Sequence, residues 1–247
     1  MNIAMWSGPR NLSTALMYAF AARSDCAVWD EPFYSPYLAT TGIDHPMCDA
    51  VIAAHDADAG RVAAACAGPA PQQKPLFYQK HMTLHMIPEF PRGFMPTCTN
   101  VFLIRHPARV IASYARKREG PTLSDIGFVQ QAALFDEVAD DLGAPPLVLD
   151  AADVLADPAA ALLALCTALQ VPFQPQMLHW PVGGNAADGV WAAHWYGAVH
   201  NSTGFAEPEG APPVLSEEYQ PLLQAALPFY ERLFEYRICP TQTDLQP

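Results

Sequence analysis

Positive charge is what this chain has least of. Its 247 residues carry 13 Lys and Arg against 25 Asp and Glu, for a formal net charge of −12. Nucleic-acid backbones demand a basic face, so this balance argues against a nucleic-acid partner. From Arg118 to Arg232 no Lys or Arg intervenes. The six cysteines (Cys26, Cys48, Cys66, Cys98, Cys166, Cys239) are scattered, with no Cys-x-x-Cys and no close His pairing, so neither a disulfide framework nor a zinc or other metal site is expected. Met1-Asn2-Ile3 lacks a basic leader, and the longest strongly apolar stretch, Ala159 to Val171, is too short to span a bilayer. These absences lead to the expectation of a reduced, cytoplasmic protein with no membrane partner.

What is present suits an α/β fold. Half of the residues are hydrophobic, enough for a sizeable core, and one domain over residues 1–247 is expected. Apolar runs at Ile3–Trp6, Ala27–Trp29, Leu76–Gln79, Val101–Ile104 and Leu147–Leu149 read as short buried strands. Helical patterns lie between them: Leu12–Ala22, a segment around Ala63, Ala108–Lys117, Ser124–Leu142 with Ser124 as its cap, and Pro158–Leu169. Alternating strands and helices imply a central parallel sheet with helices on both faces. A loop-rich region at 180–213 suits a lid or acceptor wall, and a closing helix is expected within 216–237.

The first strand runs straight into a turn, Ser7-Gly8-Pro9-Arg10-Asn11, and then into a helix with Leu12, Leu16 and Phe20 on its apolar side. A strand that turns tightly into a helix aims unpaired amides and the positive end of the helix dipole at one point. Arg10, Ser13 and Thr14 add charge and hydroxyls there, so the segment reads as an anion-binding loop. It lacks the second Gly and the Lys of the nucleoside-triphosphatase pattern. A second cationic feature follows the Val101–Ile104 strand. Arg105, Arg109, Arg116, Lys117 and Arg118 fall within fourteen residues, and a cationic cluster in an acidic chain suits a small anionic ligand. Pro107 fits a first helical turn, which leaves Arg105 at the strand tip and Ser113 about two turns along. An Arg at such a tip offers a bidentate fork to a phosphate, where a triphosphatase would want an Asp for Mg²⁺.

Gly8-Pro9-Arg10-Asn11-Leu12-Ser13-Thr14 resembles the 5′-phosphosulfate loop of the sulfotransferase superfamily, with Asn11-Leu12 in place of the usual Ser-Gly. Arg105 and Ser113, eight positions apart, resemble that family's 3′-phosphate motif. Leu147–Asp150 followed by Asp157-Pro158 resembles its later strand and helix start. The resemblance implies 3′-phosphoadenosine 5′-phosphosulfate (PAPS) as donor, PAP as product, no metal, and a small-molecule acceptor bearing a hydroxyl or an amine. It assigns Gly8, Pro9, Arg10, Asn11, Ser13 and Thr14 to the 5′ end of the donor, and Arg105 and Ser113 to its 3′-phosphate. Arg10 would also stabilise developing charge.

Two residues qualify as the base that takes the acceptor's proton. Glu31, in Asp30-Glu31-Pro32-Phe33-Tyr34, resembles the Glu-Pro motif of carbohydrate sulfotransferases. His81, in Gln79-Lys80-His81-Met82, resembles the Lys-x-His segment of the cytosolic aryl and steroid enzymes. A His has a suitable unperturbed pKa, whereas a Glu needs burial. Two rivals stand beside this reading. One is a kinase or nucleotide hydrolase with Asp150 as its Mg²⁺ ligand, and the other is a non-catalytic nucleotide-binding module.

Overall fold

A computed structural model describes residues 1–116 and 120–240. Lys117 and Arg118 of the cationic cluster lie outside the described residues. Among those described, five strands form one parallel sheet of order β2-β3-β1-β4-β5, namely β1 (Asn2–Ser7), β2 (Cys26–Asp30), β3 (Leu76–Met82), β4 (Thr99–Ile104) and β5 (Leu147–Asp150). The helices are α1 (Ser13–Ala21), α2 (Tyr34–Thr41), α3 (Cys48–Ala54), α4 (Ala59–Ala67), α5 (Pro107–Ala115), α6 (Phe128–Leu142), α7 (Ala151–Ala156), α8 (Pro158–Ala168), α9 (Ala192–Trp195), α10 (Gly197–His200) and α11 (Gln220–Phe234). In this strand order the chain leaves β1 toward one edge and later returns to its other side at β4.

The chain groups into two compact units. The first holds Met1–Trp6, Ser13–Asn100 and Gln174–Phe205. Its β2 and β3 pair in parallel from Cys26 opposite Leu76 to Asp30 opposite Lys80. Every β3 residue from Leu76 to His81 is buried. Tyr34, Leu38, Val51, Trp191, Ala192 and Tyr196 form an apolar cluster that fastens the irregular 180–205 stretch to α2 and α3. The second unit holds Ser7–Leu12, Val101–Phe173 and Ala206–Pro247. Here β4 pairs with β5 from Val101 opposite Leu147 to Ile104 opposite Asp150.

Two expectations about elements change. Helix α6 begins at Phe128, not Ser124, because Gly127 takes a left-handed φ of 75° and separates the helix from the turn before it. Ser124 Oγ meets Thr122 Oγ1 at 2.8 Å instead of capping a helix. Strand β3 extends to Met82, so His81 lies inside it rather than after it: the parallel ladder continues as Glu31 N donates to Lys80 O at 2.9 Å. The closing helix occupies Gln220–Phe234, inside the expected range. No helix among the described residues is long and apolar enough to cross a membrane.

Candidate active site

In the second unit, the loop after β1 is set by side-chain bonds of its own. Asn11 Nδ2 donates to Leu103 O at 2.8 Å, and Asn11 Oδ1 accepts from Leu12 N at 2.9 Å. Asn11 therefore ties the loop to β4, which gives a structural reason for its departure from the Ser-Gly pair. Gly8 is buried, and a Cβ there would stand 3.2 Å from Ile126 O, so a larger residue would have to push that backbone away. Arg10 takes a φ of 56°. A left-handed backbone is unfavourable for a residue with a Cβ, and such strain persists only where the surroundings fix it.

They do fix it. Arg105 Nη1 donates to Arg10 O at 2.7 Å, and Arg10 Nε donates to Ser113 Oγ at 3.0 Å. Arg105 follows β4 directly, and Ser113 is buried on α5, whose first residue is Pro107. His106 Nδ1 caps that helix by accepting from Ala108 N at 3.2 Å. Burial, then the neighbouring charges of Arg116 and Arg105, pull the Arg10 guanidinium below its ordinary pKa. Like charges crowded in this way create a demand for an anion.

An anion is already there. Glu209, which sequence reasoning missed, pairs with Arg105 Nη2 and stands 3.1 Å from Arg109 Nε. Arg109 Nη2 also donates to Glu209 O at 2.9 Å and to Gly210 O. A carboxylate thus forms ion pairs with two arginines, hydrogen-bonded to Arg105, the residue expected to hold a phosphate, while Arg109 bonds the backbone beside it.

Asp150, at the end of β5, has both oxygens engaged. Oδ1 accepts from Ala152 N at 2.6 Å, which caps α7, and Oδ2 accepts from the Tyr230 hydroxyl at 2.8 Å. Burial raises its pKa. This is the environment of a helix cap rather than of a metal ligand.

The first unit carries the two candidate bases and the start of α1, where Ser13 is buried and Thr14 half-buried. Lys80, 1% exposed, extends from β3 between two carboxylates. Its Nζ donates to Asp30 Oδ1 at 2.8 Å, to Glu31 Oε1 at 2.5 Å and to the Tyr196 hydroxyl at 2.6 Å. Tyr196 OH lies 2.8 Å from Asp30 Oδ2 and accepts from Trp191 Nε1 at 3.0 Å. Burial pushes the Lys80 pKa down, but Asp30 and Glu31 together outweigh that and leave it raised. Burial raises Asp30 despite Lys80, and it raises Tyr196 with Glu31 and Asp30 adding to the effect. Glu31 takes a φ of 40°, so both units hold an expected site residue in a left-handed backbone. His85 Nδ1 faces Glu31 Oε2 at 3.7 Å.

His81 sits differently. Its ring stacks on Trp6 at 4.4 Å, lies near Phe33 and Phe94, and meets Gln79 Oε1 at 3.2 Å. Burial lowers its pKa to about 3. Lys80 and Asp30 stand in the segments the sequence singled out, but without an assigned role. Tyr196 gave no local signal, being 116 positions from its partner Lys80.

Comparison with known proteins agrees with the fold. A family model described as a sulfotransferase domain matches residues 1–236. Two Arabidopsis thaliana proteins are similar over 231 residues: branched-chain-amino-acid aminotransferase-like protein 2 at 34% identity and protein 1 at 36%. Each match covers 94% of this chain but 41% of the relative, so the chain spans less than half the length of those proteins. A crystal structure of a sulfotransferase from Alicyclobacillus acidocaldarius superposes with a TM-score of 0.56 at 12% identity, over 95% of this chain and 94% of the other, a likeness of fold. Such a strand order, with an arginine-bearing loop after β1 and a second arginine at the tip of β4, is the frame that the family model spans almost end to end, and the chain belongs to the sulfotransferase domain family.

Proposed function

We propose that this protein transfers a sulfuryl group from PAPS to a hydroxyl, or an amine, of a small acceptor, with its residues acting as one catalytic domain. The observation that carries this reading is the network of Arg10, Arg105 and Ser113, with the Glu209 carboxylate paired with Arg105 and Arg109. A site where two arginines pair with a carboxylate, one of them by a direct hydrogen bond, has the positive charge that a phosphate needs. Arg105 and Ser113 would hold the 3′-phosphate. Arg10, with Gly8, Pro9, Asn11, Ser13 and Thr14, would hold the 5′ end.

PAPS, when bound, supplies an activated sulfuryl group on a good leaving phosphate. The chain's own contribution is positioning and charge: Arg10 stabilises negative charge as it develops, which counts most in a site screened from water. Of the two candidate bases, Glu31 suits the role better. His81 is boxed among aromatic rings with its pKa near 3, which makes it a weak proton acceptor at neutral pH, whereas Glu31 is anchored through Oε1 to Lys80 and keeps Oε2 clear of hydrogen bonds among the described residues. The kinase reading loses support because both Asp150 oxygens are engaged.

The test is an untargeted mass-shift screen of cell extract incubated with the protein and labelled PAPS. A labelled product bearing one added sulfuryl group, absent with Glu31→Gln, supports the proposal. PAP calorimetry in parallel separates a binding module, which takes PAP but turns nothing over, from an enzyme.

A further inference from the structure

We propose that Tyr196, delivered by the late aromatic segment, and Lys80 are positioning residues that fix Glu31 by one carboxylate oxygen and leave the other to receive the acceptor's proton. The inference rests on the reading of Glu31 as the base and gives that reading its supporting machinery.

The argument is one of donor and acceptor capacity. An ammonium has three protons, and Lys80 has three partners: Asp30 Oδ1, Glu31 Oε1 and Tyr196 OH. The tyrosine oxygen accepts from Lys80 and from Trp191 Nε1, which fills both of its acceptor positions. Its single proton goes to Asp30, at 2.8–2.9 Å, in preference to Glu31 Oε1 at 3.3 Å. Asp30 is then fully engaged, since Oδ2 also accepts from Gly189 N at 3.2 Å. Of the four carboxylate oxygens in the cluster, Glu31 Oε2 alone makes no hydrogen bond among the described residues. It faces His85 Nδ1 at 3.7 Å, beyond hydrogen-bond reach, and that buried nitrogen has no partner either.

Geometry on the backbone points the same way. Glu31 holds a φ of 40°, pinned by Glu31 N to Lys80 O at 2.9 Å and Tyr34 N to Glu31 O at 3.0 Å. A buried, net-negative group of two acids and one lysine is costly unless every bond is made, and a simple fold support could use apolar residues of similar volume instead. Trp191 and Tyr196 belong to the apolar cluster with α2 and α3, so the 180–205 stretch serves as a fixed wall behind the base and not as a free lid.

The experiment compares wild type, Tyr196→Phe, Glu31→Gln and the double variant. Each is assayed for sulfuryl transfer from labelled PAPS to the acceptor found by the product screen and to water, with PAP affinity by calorimetry. Tyr196→Phe is expected to lower kcat at least tenfold, leave PAP affinity and acceptor KM near wild type, and cause no further loss in the Glu31→Gln background. A fully active Tyr196→Phe, or one that cuts the residual Glu31→Gln rate by the same factor as wild type, would overturn the positioning role. If Tyr196→Phe fails to fold, Trp191→Phe, which removes one donor to the same hydroxyl, is read for the same non-additivity, and additive losses overturn the inference. Full turnover by Glu31→Gln would remove the base assignment itself, a different outcome from an inactive Glu31→Gln beside an active Tyr196→Phe.

Discussion

Arg10 Nε donates to Ser113 Oγ across 3.0 Å, although 103 positions separate the two residues in the chain. The bond makes Ser113 a brace for the loop arginine, and Arg105 holds the same residue by its carbonyl. A side chain pre-aimed in this way has little reorganisation left to do as charge develops during a reaction.

Arg10→Met keeps much of the stem and removes the charge. Turnover is expected to fall about 10²–10³-fold while PAPS binding weakens far less, because the charge matters most in the transition state. Arg10→Lys should recover only part of the rate, since a point charge replaces a planar fork. Saturating-PAPS rates beside melting curves decide it. A stable Met variant with full turnover would reduce Arg10 to a brace of the turn.

Glu209 pairs with the arginines that would hold a phosphate in the proposed reading, and in that reading it leaves as the ligand enters. Glu209→Gln is expected to tighten PAP binding by about 1–2 kcal/mol, on the order of tenfold in Kd, and to lower the melting temperature of the ligand-free protein. Calorimetry with PAP checks the first and a thermal scan the second. Weaker PAP binding would mean that Glu209 organises the arginines instead of competing for them.

His81 carries a stability signature. Its pKa falls from 6.5 to about 3 on burial, and buried His85 is lowered as well. Below pH 6.5 the unfolded chain takes up protons that the folded chain refuses, so this contribution is complete above 6.5 and is lost as pH falls toward 3. Urea unfolding across that window should show stability falling with acidity, and His81→Phe should reduce the slope by up to about 1.4 kcal/mol per pH unit. An unchanged slope would mean that the folded protein protonates His81 readily, which would return it to consideration as the base.

Local pattern made much of the fold readable. The strand–turn–helix at Gly8–Thr14 and the Arg105–Ser113 spacing are short-range features, set by burial period, a proline and charge, and the structure places Arg10, Arg105 and Ser113 in one network. What escaped depends on distant chain. Tyr196 lies in a stretch of one-turn helices with no period to read, and Glu209 in a proline- and glycine-rich loop, yet each meets a partner more than a hundred positions away. Helices α2 and α3 were missed for a local reason. They are short, and α2 contains Pro36 and two threonines and ends at a left-handed Gly42, a composition that reads as loop. The start of α6 was misplaced because Ser124 looks like a cap, while Gly127 sets the boundary.

The most direct measurement is calorimetry of PAP and of adenosine 5′-phosphosulfate, which lacks the 3′-phosphate, against wild type and Arg105→Ala. Wild type is expected to bind PAP, and the substitution to weaken that binding by roughly 2–5 kcal/mol, as for truncating one side of a buried charged contact, while adenosine 5′-phosphosulfate changes far less. Equal losses for both ligands, or a wild-type protein that binds ATP with Mg²⁺ and ignores PAP, would contradict a PAPS-dependent sulfotransferase.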